Sequence, residues 1–554
     1  MRKTVVALGA LLVFGPIGVS AETPSPQPSP PLARGSACAA GEVLDIAGLG
    51  AFADELARVA ELEGAVALRP RLIRRGGARS EAVCVGADFP WPTFARPRPA
   101  DDAERRGATA RALPLRLSTT WNSRYPRGEN DGLLWSGRGV SQLLEGGVEA
   151  RWGPFSAALA PEVTWSENRA FDLVPNGRDG EQRFGNAFYP HAIDLPQRFG
   201  AGPFATWGPG QSHLRAERWN VALGLSTESL WFGPGVRSSI LMSNAGPGFP
   251  HVYLGTARPA DVWIGEAEVL LFWGRLDRTR FIAGGGHPLV SGLAVTYAPK
   301  WIRSLSIGAA RVFVQPWDGL TLRNWLAVFQ SLEKQSLTSA YGPTGDNPLD
   351  NQLASVFGRW VFPEVGLEIY GEWAREDYNW SWWSTIREPD HSQAYQLGLQ
   401  KVFRAGARRV RFGAELTHLQ ENGGFGGGAL PVYYLHGNDL GYTNRGQLLG
   451  AWIGPGADSQ TVAVDVFHRG GRVGGYLERV RRNDAYYWAA VEPVEGDFSH
   501  DVELALGLRQ VLALRGVEVS WEAAAAYRQN RDFIRHEPNF RLVLGLAAPL
   551  GRGR

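Results

Sequence analysis

The sequence predicts an all-β protein: a large antiparallel transmembrane β-barrel of about 16–18 strands, 18 preferred, with a small N-terminal, partly helical plug. Three observations predict it. From about residue 113 onward, apolar residues recur with a period of two. The alternating runs reach roughly ten residues, the length of a tilted membrane crossing. Aromatic residues gather near the ends of those runs, among them Trp152, Trp165, Trp219, Trp273, Tyr297, Trp301, Trp360, Trp373, Phe403 and Tyr527, as interfacial girdles require.

Composition narrows the alternatives. The 554 residues are 44% hydrophobic and 20% charged, too apolar for disorder over most of the chain. Lys+Arg number 57 against Asp+Glu 55, a net charge of +2, so no global field draws nucleic acid and none is expected as a partner. Beyond the N-terminal stretch no segment reaches about 18 consecutive apolar residues, which excludes a helical membrane span but not a barrel.

Residues 1–21 have the three parts of a secretory signal: Arg2 and Lys3, the apolar run Val5 to Phe14, and the small-residue site Val19-Ser20-Ala21. A buried N-terminal helix is the alternative. Residues 22–35 form a Pro/Ser linker, extended and without a core. Residues 36–112 read as a compact unit holding the two cysteines, Cys38 and Cys84. In an exported chain a disulfide between them is preferred to two free thiols. Between them Leu49, Phe52, Leu56, Val59 and Ala60 fall on one helical face, with Asp54, Glu55, Arg58 and Glu61 elsewhere.

Residues 113–554 read as the barrel. Leu367, Ile369, Gly371 and Trp373 alternate with Glu368, Tyr370 and Glu372; Val502, Leu504, Leu506 and Leu508 alternate with Glu503, Ala505 and Gly507. Successive side chains on a strand point to opposite faces, so each run has an apolar and a polar face. A soluble sandwich or propeller turns the apolar face inward, whereas an outer-membrane barrel turns it to lipid. Strand length, girdles and the export signal favour the barrel, read as a monomer in contact with outer-membrane lipid. Residues 113 to 550 number 438, which at roughly 24 residues per strand and connection gives about 18 strands. A lumen so wide fills with water unless something occupies it. The ladder Glu364, Glu368, Glu372 and the pair Arg409, Arg411 are candidates to cross-link it, and the N-terminal unit is a candidate plug.

Several blocks resemble the Wzi-type capsule assembly family of Gram-negative outer membranes. Asp131-Gly132-Leu133-Leu134-Trp135-Ser136-Gly137-Arg138-Gly139 is similar to the family's DG…W.GRG block. Ser226 to Gly235, with Glu228, Trp231, Gly233 and Pro234, is similar to STEN.WWGPG, departing at Ser229 and Phe232. Met242 to His251, with Asn244, resembles MSNNA.GF.H, and Gly446 to Gly456 resembles GQ..G..IGP. The resemblance implies an 18-stranded barrel plugged by an N-terminal helical unit. It also implies a lectin-like role in holding or assembling capsular or extracellular polysaccharide. Read physically, Trp231 to Gly235 should make a fixed corner, because Pro234 has no donor with which to continue a central strand. Whether these corners are functional or only turns and interior plugs stays open.

No enzyme is expected. The acidic ladder is a weak signal for a glycosidase pair, since charged lumens are full of carboxylates. The histidines show no metal spacing, so neither metal nor cofactor is expected. Gly423 to Gly428 lacks the Lys-Ser/Thr of a phosphate cradle. Sugar recognition is better supported: flat aromatic faces against sugar rings, with planar polar groups around them. Tyr378, Trp380, Trp382 and Trp383 lie within six residues, and Tyr433 and Tyr434 form a second aromatic loop. Arg375 and Arg387 are candidates to pair with an acidic polymer. The interfacial girdle is the competing explanation of these aromatics, and a porin or polysaccharide channel the competing function.

Overall fold

The computed structural model describes residues 42–46, 52–76, 81–85, 91, 94, 96–97, 107–284, 286–317, 321–329, 351–376, 382–387, 392–419, 433–436, 440–491 and 499–549. The predicted signal and linker, and the side chains of both cysteines, lie outside them.

One antiparallel sheet of 21 segments closes on itself, the last strand pairing with the first through Arg541↔Asn122 to Ala548↔Leu115. Three of its staves are each broken in two, leaving a barrel of 18. Stave β1 (Ala108–Asn122) is followed by β2 (Gly139–Trp152). Stave β3 is split into Phe155–Leu159 and Glu162–Ser166, and β4 into Phe204–Gly208 and His213–Arg218. After β5 (Val221–Ser226), β6 runs through His251–Thr256 and resumes at Ala260–Asp261. The circuit continues with β7 (Gly265–Arg275), β8 (Leu289–Pro299), β9 (Leu305–Gln315), β10 (Asn351–Phe362), β11 (Leu367–Glu376) and β12 (Gln393–Ala405). It ends with β13 (Arg408–His418), β14 (Asp458–His468), β15 (Gly471–Arg482), β16 (Asp501–Leu514), β17 (Val517–Arg531) and β18 (Arg535–Ala548). The first stave starts at Ala108, inside the span assigned from sequence to the N-terminal unit. Its register shifts between Leu113 and Arg116, where Pro114 has no N–H for the ladder.

The period-two pattern has the predicted sense. Leu504, Leu506 and Leu508 of β16 are exposed on the outer wall, while Glu503, Ala505 and Asp501 are buried within. Exposed aromatics ring both ends: Trp152, Trp219, Trp263 and Trp301 at one, Trp121, Trp165, Trp373 and Phe540 at the other. Tight turns such as Gly153-Pro154 and Trp219-Asn220, the latter pair at positive φ, join staves at the first end. Connections of 13 to 39 residues join nearly all staves at the second, only 532–534 being short there. In outer-membrane barrels the short turns face the periplasm and the long connections the exterior.

At the short-turn end lies helix α1 (Phe52–Leu62). Its apolar stripe, Phe52, Leu56, Val59 and Ala60, packs with Trp91 against Val361, Val402, Phe467 and Val511 of the inner wall. The charged side of the helix is buried too. Arg58 pairs with Glu368 of β11 and donates to the Pro234 carbonyl at 2.8 Å; Glu61 accepts from Arg359 at 2.8 Å. Glu55 meets Arg411 and Arg472, which share Asp465. Thus Glu368 and Arg411 do cross-link the interior, with the helix as their partner. Glu364 departs from the expected ladder and sits in the turn Pro363–Val365, because the chain must reverse between β10 and β11.

Asp54 and Glu55 illustrate the balance. Burial pushes both carboxyls up, but Arg71, Arg74 and Arg58 around Asp54, and Arg411 and Arg472 around Glu55, hold them below the ordinary carboxylate range. Because the folded values are depressed, the stabilisation is complete above about pH 4 and is lost as pH falls through the folded values. A nitroxide on Ala53 should therefore gain mobility on acidification from neutral pH to about pH 3, before the barrel strands melt. Separately, Leu508→Arg on the exposed apolar outer face should lower barrel stability in a bilayer by about 2–4 kcal/mol in reversible urea unfolding.

Candidate functional site

The connection between β5 and β6, residues 227–250, folds into the lumen. Leu230–Phe232 forms a short antiparallel ladder with Ile73–Arg75 of the N-terminal unit. Gly233, at φ +94, then turns the chain, and its N–H donates to the Leu72 carbonyl at 2.8 Å. The next amides are gathered by one carboxylate: Glu415 of β13 accepts from the N–H groups of Val236 (2.7 Å), Arg237 and Ser238 (both 3.0 Å). Tyr370 donates to the same carboxylate at 2.7 Å. A single inward acid thereby holds a turn that would otherwise expose three unpaired donors to a dry interior.

The similar blocks converge here. Gly132 N–H donates to Asn244 O (2.8 Å), Ser243 N–H to Leu449 O (2.7 Å), and Gln447 Nε2 to Gly132 O (2.9 Å). Phe232, Ile240, Leu241, Met242, Leu448, Leu449 and Ile453 are buried together as an apolar core inside the barrel. Trp231 is buried with the Arg74 guanidinium 4.7 Å from its ring. Pro234 offers its carbonyl to Arg58. Asn244 Nδ2 donates to Asn130 O at 3.3 Å, and His251 Nδ1 lies 2.8 Å from Phe249 O. Trp135 packs on Phe199 at 4.7 Å, and Arg138 donates to the Ser123 and Ala170 carbonyls. Glu228 lies 3.1 Å from His213 and accepts from Ser226 at 3.0 Å. Burial raises its carboxyl, but the His213 contact and the charge of Arg75 bring it below the usual range. Trp231, Pro234, Glu228 and His251 thus contact other parts of the protein inside the barrel, whereas Trp135 and Arg138 are only partly buried.

A profile of the family "Capsule assembly protein Wzi" matches residues 131–532, well over half of the chain. The protein belongs to the Wzi capsule assembly family. The solved Wzi of Escherichia coli, described as an outer-membrane carbohydrate-binding β-barrel involved in group 1 capsule assembly, superposes with a TM-score of 0.52. It is 15% identical, over 79% of this chain and 85% of that one, a likeness of fold. Pseudomonas aeruginosa OccK2 (11% identity, 80% and 98% coverage, TM-score 0.41) and Acinetobacter baumannii OccAB3 (10%, 80% and 99%, 0.42) are more distant barrels. No curated relative matches in sequence. Fold and family place the protein among outer-membrane β-barrels.

The sugar-binding candidates divide. Tyr378 and Trp380 lie outside the described residues, as does the side chain of Trp382. Trp383 is 70% exposed on the short helix Trp382–Arg387, with Ile386 and Arg387 also exposed. Tyr433 and Tyr434 are instead fully buried. Tyr434 donates to Ile240 O, accepts from Ala451 N–H at 2.8 Å and stacks on Tyr442 at 5.6 Å. The long connection carrying them dips into the lumen, where their rings fill space, so they present no face to a polymer. Arg375 is likewise buried, at 8%, where exposure was expected. Among the described residues no cluster of His, Cys, Asp or Glu is arranged to hold a metal. Sequence reasoning missed Glu415 and Arg58, since a lone charge on an alternating strand or helix gives no sign of what folds against it.

Glu415→Gln should preserve the barrel but loosen the infolded connection. Hydrogen–deuterium exchange of the Val236–Ser238 amides is expected to accelerate by at least about ten-fold, while amides of β12 and β13 stay protected.

Proposed function

We propose that the protein holds capsular or other extracellular polysaccharide at the outer face of the outer membrane, as a lectin-like binder without catalysis. The observation that carries this reading is the filled lumen. Leu72 of the N-terminal unit, the 227–250 connection and residues 440–453 interlock through backbone hydrogen bonds and a shared apolar core, while helix α1 packs in a second apolar cluster against the wall and reaches the connection through Arg58, the construction of an anchor rather than of a water-filled pore. Family membership supplies the polymer class. Trp383, Ile386 and Arg387, exposed at the long-connection end, offer an apolar face beside a cation. Residues 1–21 direct export in this reading, and the barrel works as a monomer.

Planar-bilayer recording of the purified full chain should show no steady conductance; large stable currents would establish a channel instead. Replacing Trp380, Trp382 and Trp383 together by Ala should reduce cell-attached polysaccharide several-fold while the unboiled barrel keeps its heat-modifiable mobility on gels. Unchanged retention would remove this loop from the binding surface.

A further inference from the structure

Three separate connections meet at the long-connection end and bring their rings together. Phe188 comes from 167–203, Tyr486 from 483–500, and Phe533 from the turn between β17 and β18. The Phe188 and Tyr486 centroids are 4.3 Å apart, with Phe533 at 5.6 and 5.8 Å from them. Tyr189 approaches Tyr486 at 6.1 Å. All four residues are only partly buried, and Trp488, two residues after Tyr486, is 47% exposed.

The backbone and one edge of this group are fixed from below. Asn186 Oδ1 accepts from the N–H groups of Phe188 (3.0 Å) and Tyr189 (2.8 Å). Asp484, itself fully buried, accepts from Trp488 Nε1 at 2.7 Å and faces His500 Nδ1 at 2.7 Å. Rings held rigidly yet left half open have given up side-chain entropy without completing their burial, the economy of a preformed site rather than of a core. A positive charge lies on the same connection as Phe188 and Tyr189. Arg178 meets the His191 imidazole and, among the described residues, pairs with no carboxylate. His191 follows Phe188 by three residues, a span of at most about 11 Å.

We propose that Phe188, Tyr189, Tyr486 and Phe533 form a stacking shelf for the sugar rings of an acidic polysaccharide, with Arg178 receiving a uronate carboxylate. The proposal rests on the anchor reading above and gives it a principal seat, distinct from the Trp383 loop. Ring faces take the apolar sides of pyranoses, and the guanidinium fork matches a carboxylate bidentately.

The test uses the detergent-purified full chain, with oligogalacturonate as the acidic probe and maltohexaose as the neutral one, read by calorimetry. Oligogalacturonate should bind, and Phe188→Ala with Tyr486→Ala should weaken it by at least about ten-fold. Arg178→Gln, which keeps the rings, should weaken it less and flatten its salt dependence. The Trp301→Ala protein, altered in the exposed girdle at the opposite end, should bind as the parent does. Preference for maltohexaose, or undiminished binding after the double substitution, would overturn the shelf. Cell-attached polysaccharide measured in parallel separates the two readings. Retention that survives the double substitution but fails with the tryptophan triple variant leaves the anchor standing and discards the shelf. Retention unaffected by deleting the whole protein removes both.

Discussion

A closed wall of 18 staves encloses more space than its own inward side chains can fill, and the rest of the molecule answers that constraint. The wall's inner face carries Glu368, Arg411, Glu415, Asp465 and Glu503, charges that a dry interior tolerates only when paired. Some partners lie on the wall itself, such as Arg359 for Glu368 and Arg411 and Arg509 for Asp465, and others come from outside it: Arg58 and Glu55 from the helix, backbone amides 236–238 from the infolded connection, and Arg127 from the first long connection, 2.7 Å from Glu478 and 3.0 Å from Glu503. Plug and wall are therefore one electrostatic unit. Removing the plug would take away part of the pairing of these buried charges.

The infolded connection also links the two ends of the barrel. It pairs with the N-terminal unit at Ile73–Arg75, offers Pro234 O to the plug helix, and meets the 440–453 segment at Ser243. Restraining it from both sides ties the helix at the short-turn end to the connections at the far one. The blocks that resemble the family's motifs take part in this join, where close approach of the backbone favours glycine. Gly248, for instance, lies so close to the Thr227 carbonyl that an added Cβ would sit 2.1 Å from it. These blocks hold a packing in the interior of the barrel.

Much of the wall was legible in the residues. Alternation in β11 and β16 gave the sense of each face, because lipid and lumen impose opposite polarities on successive positions. The helical stripe at Phe52, Leu56 and Val59 was equally plain. Its charged face gave no sign of its partners: Arg58 and Glu61 are buried ion-pair partners of the wall. The site was less legible still. Tyr433 and Tyr434 had the composition of an exposed aromatic loop, yet nothing local shows whether a connection rises outward or folds back into a cavity. Phe188 lies about 300 residues before Tyr486, and Phe533 follows on a different connection, so the three form no motif.

By itself the sequence determined the class of wall, its approximate stave number, its lipid-facing rows, the helix and the family. Those follow from short-range periodicity and from contiguous motifs, each readable within a dozen residues. Only the tertiary structure decided that the lumen is filled by its own connections, that Glu415 gathers three amides, and which aromatics are buried or open. These depend on contacts between segments far apart in the chain, and the energy of burying a ring or a charge is set by the partner it meets rather than by its neighbours in sequence.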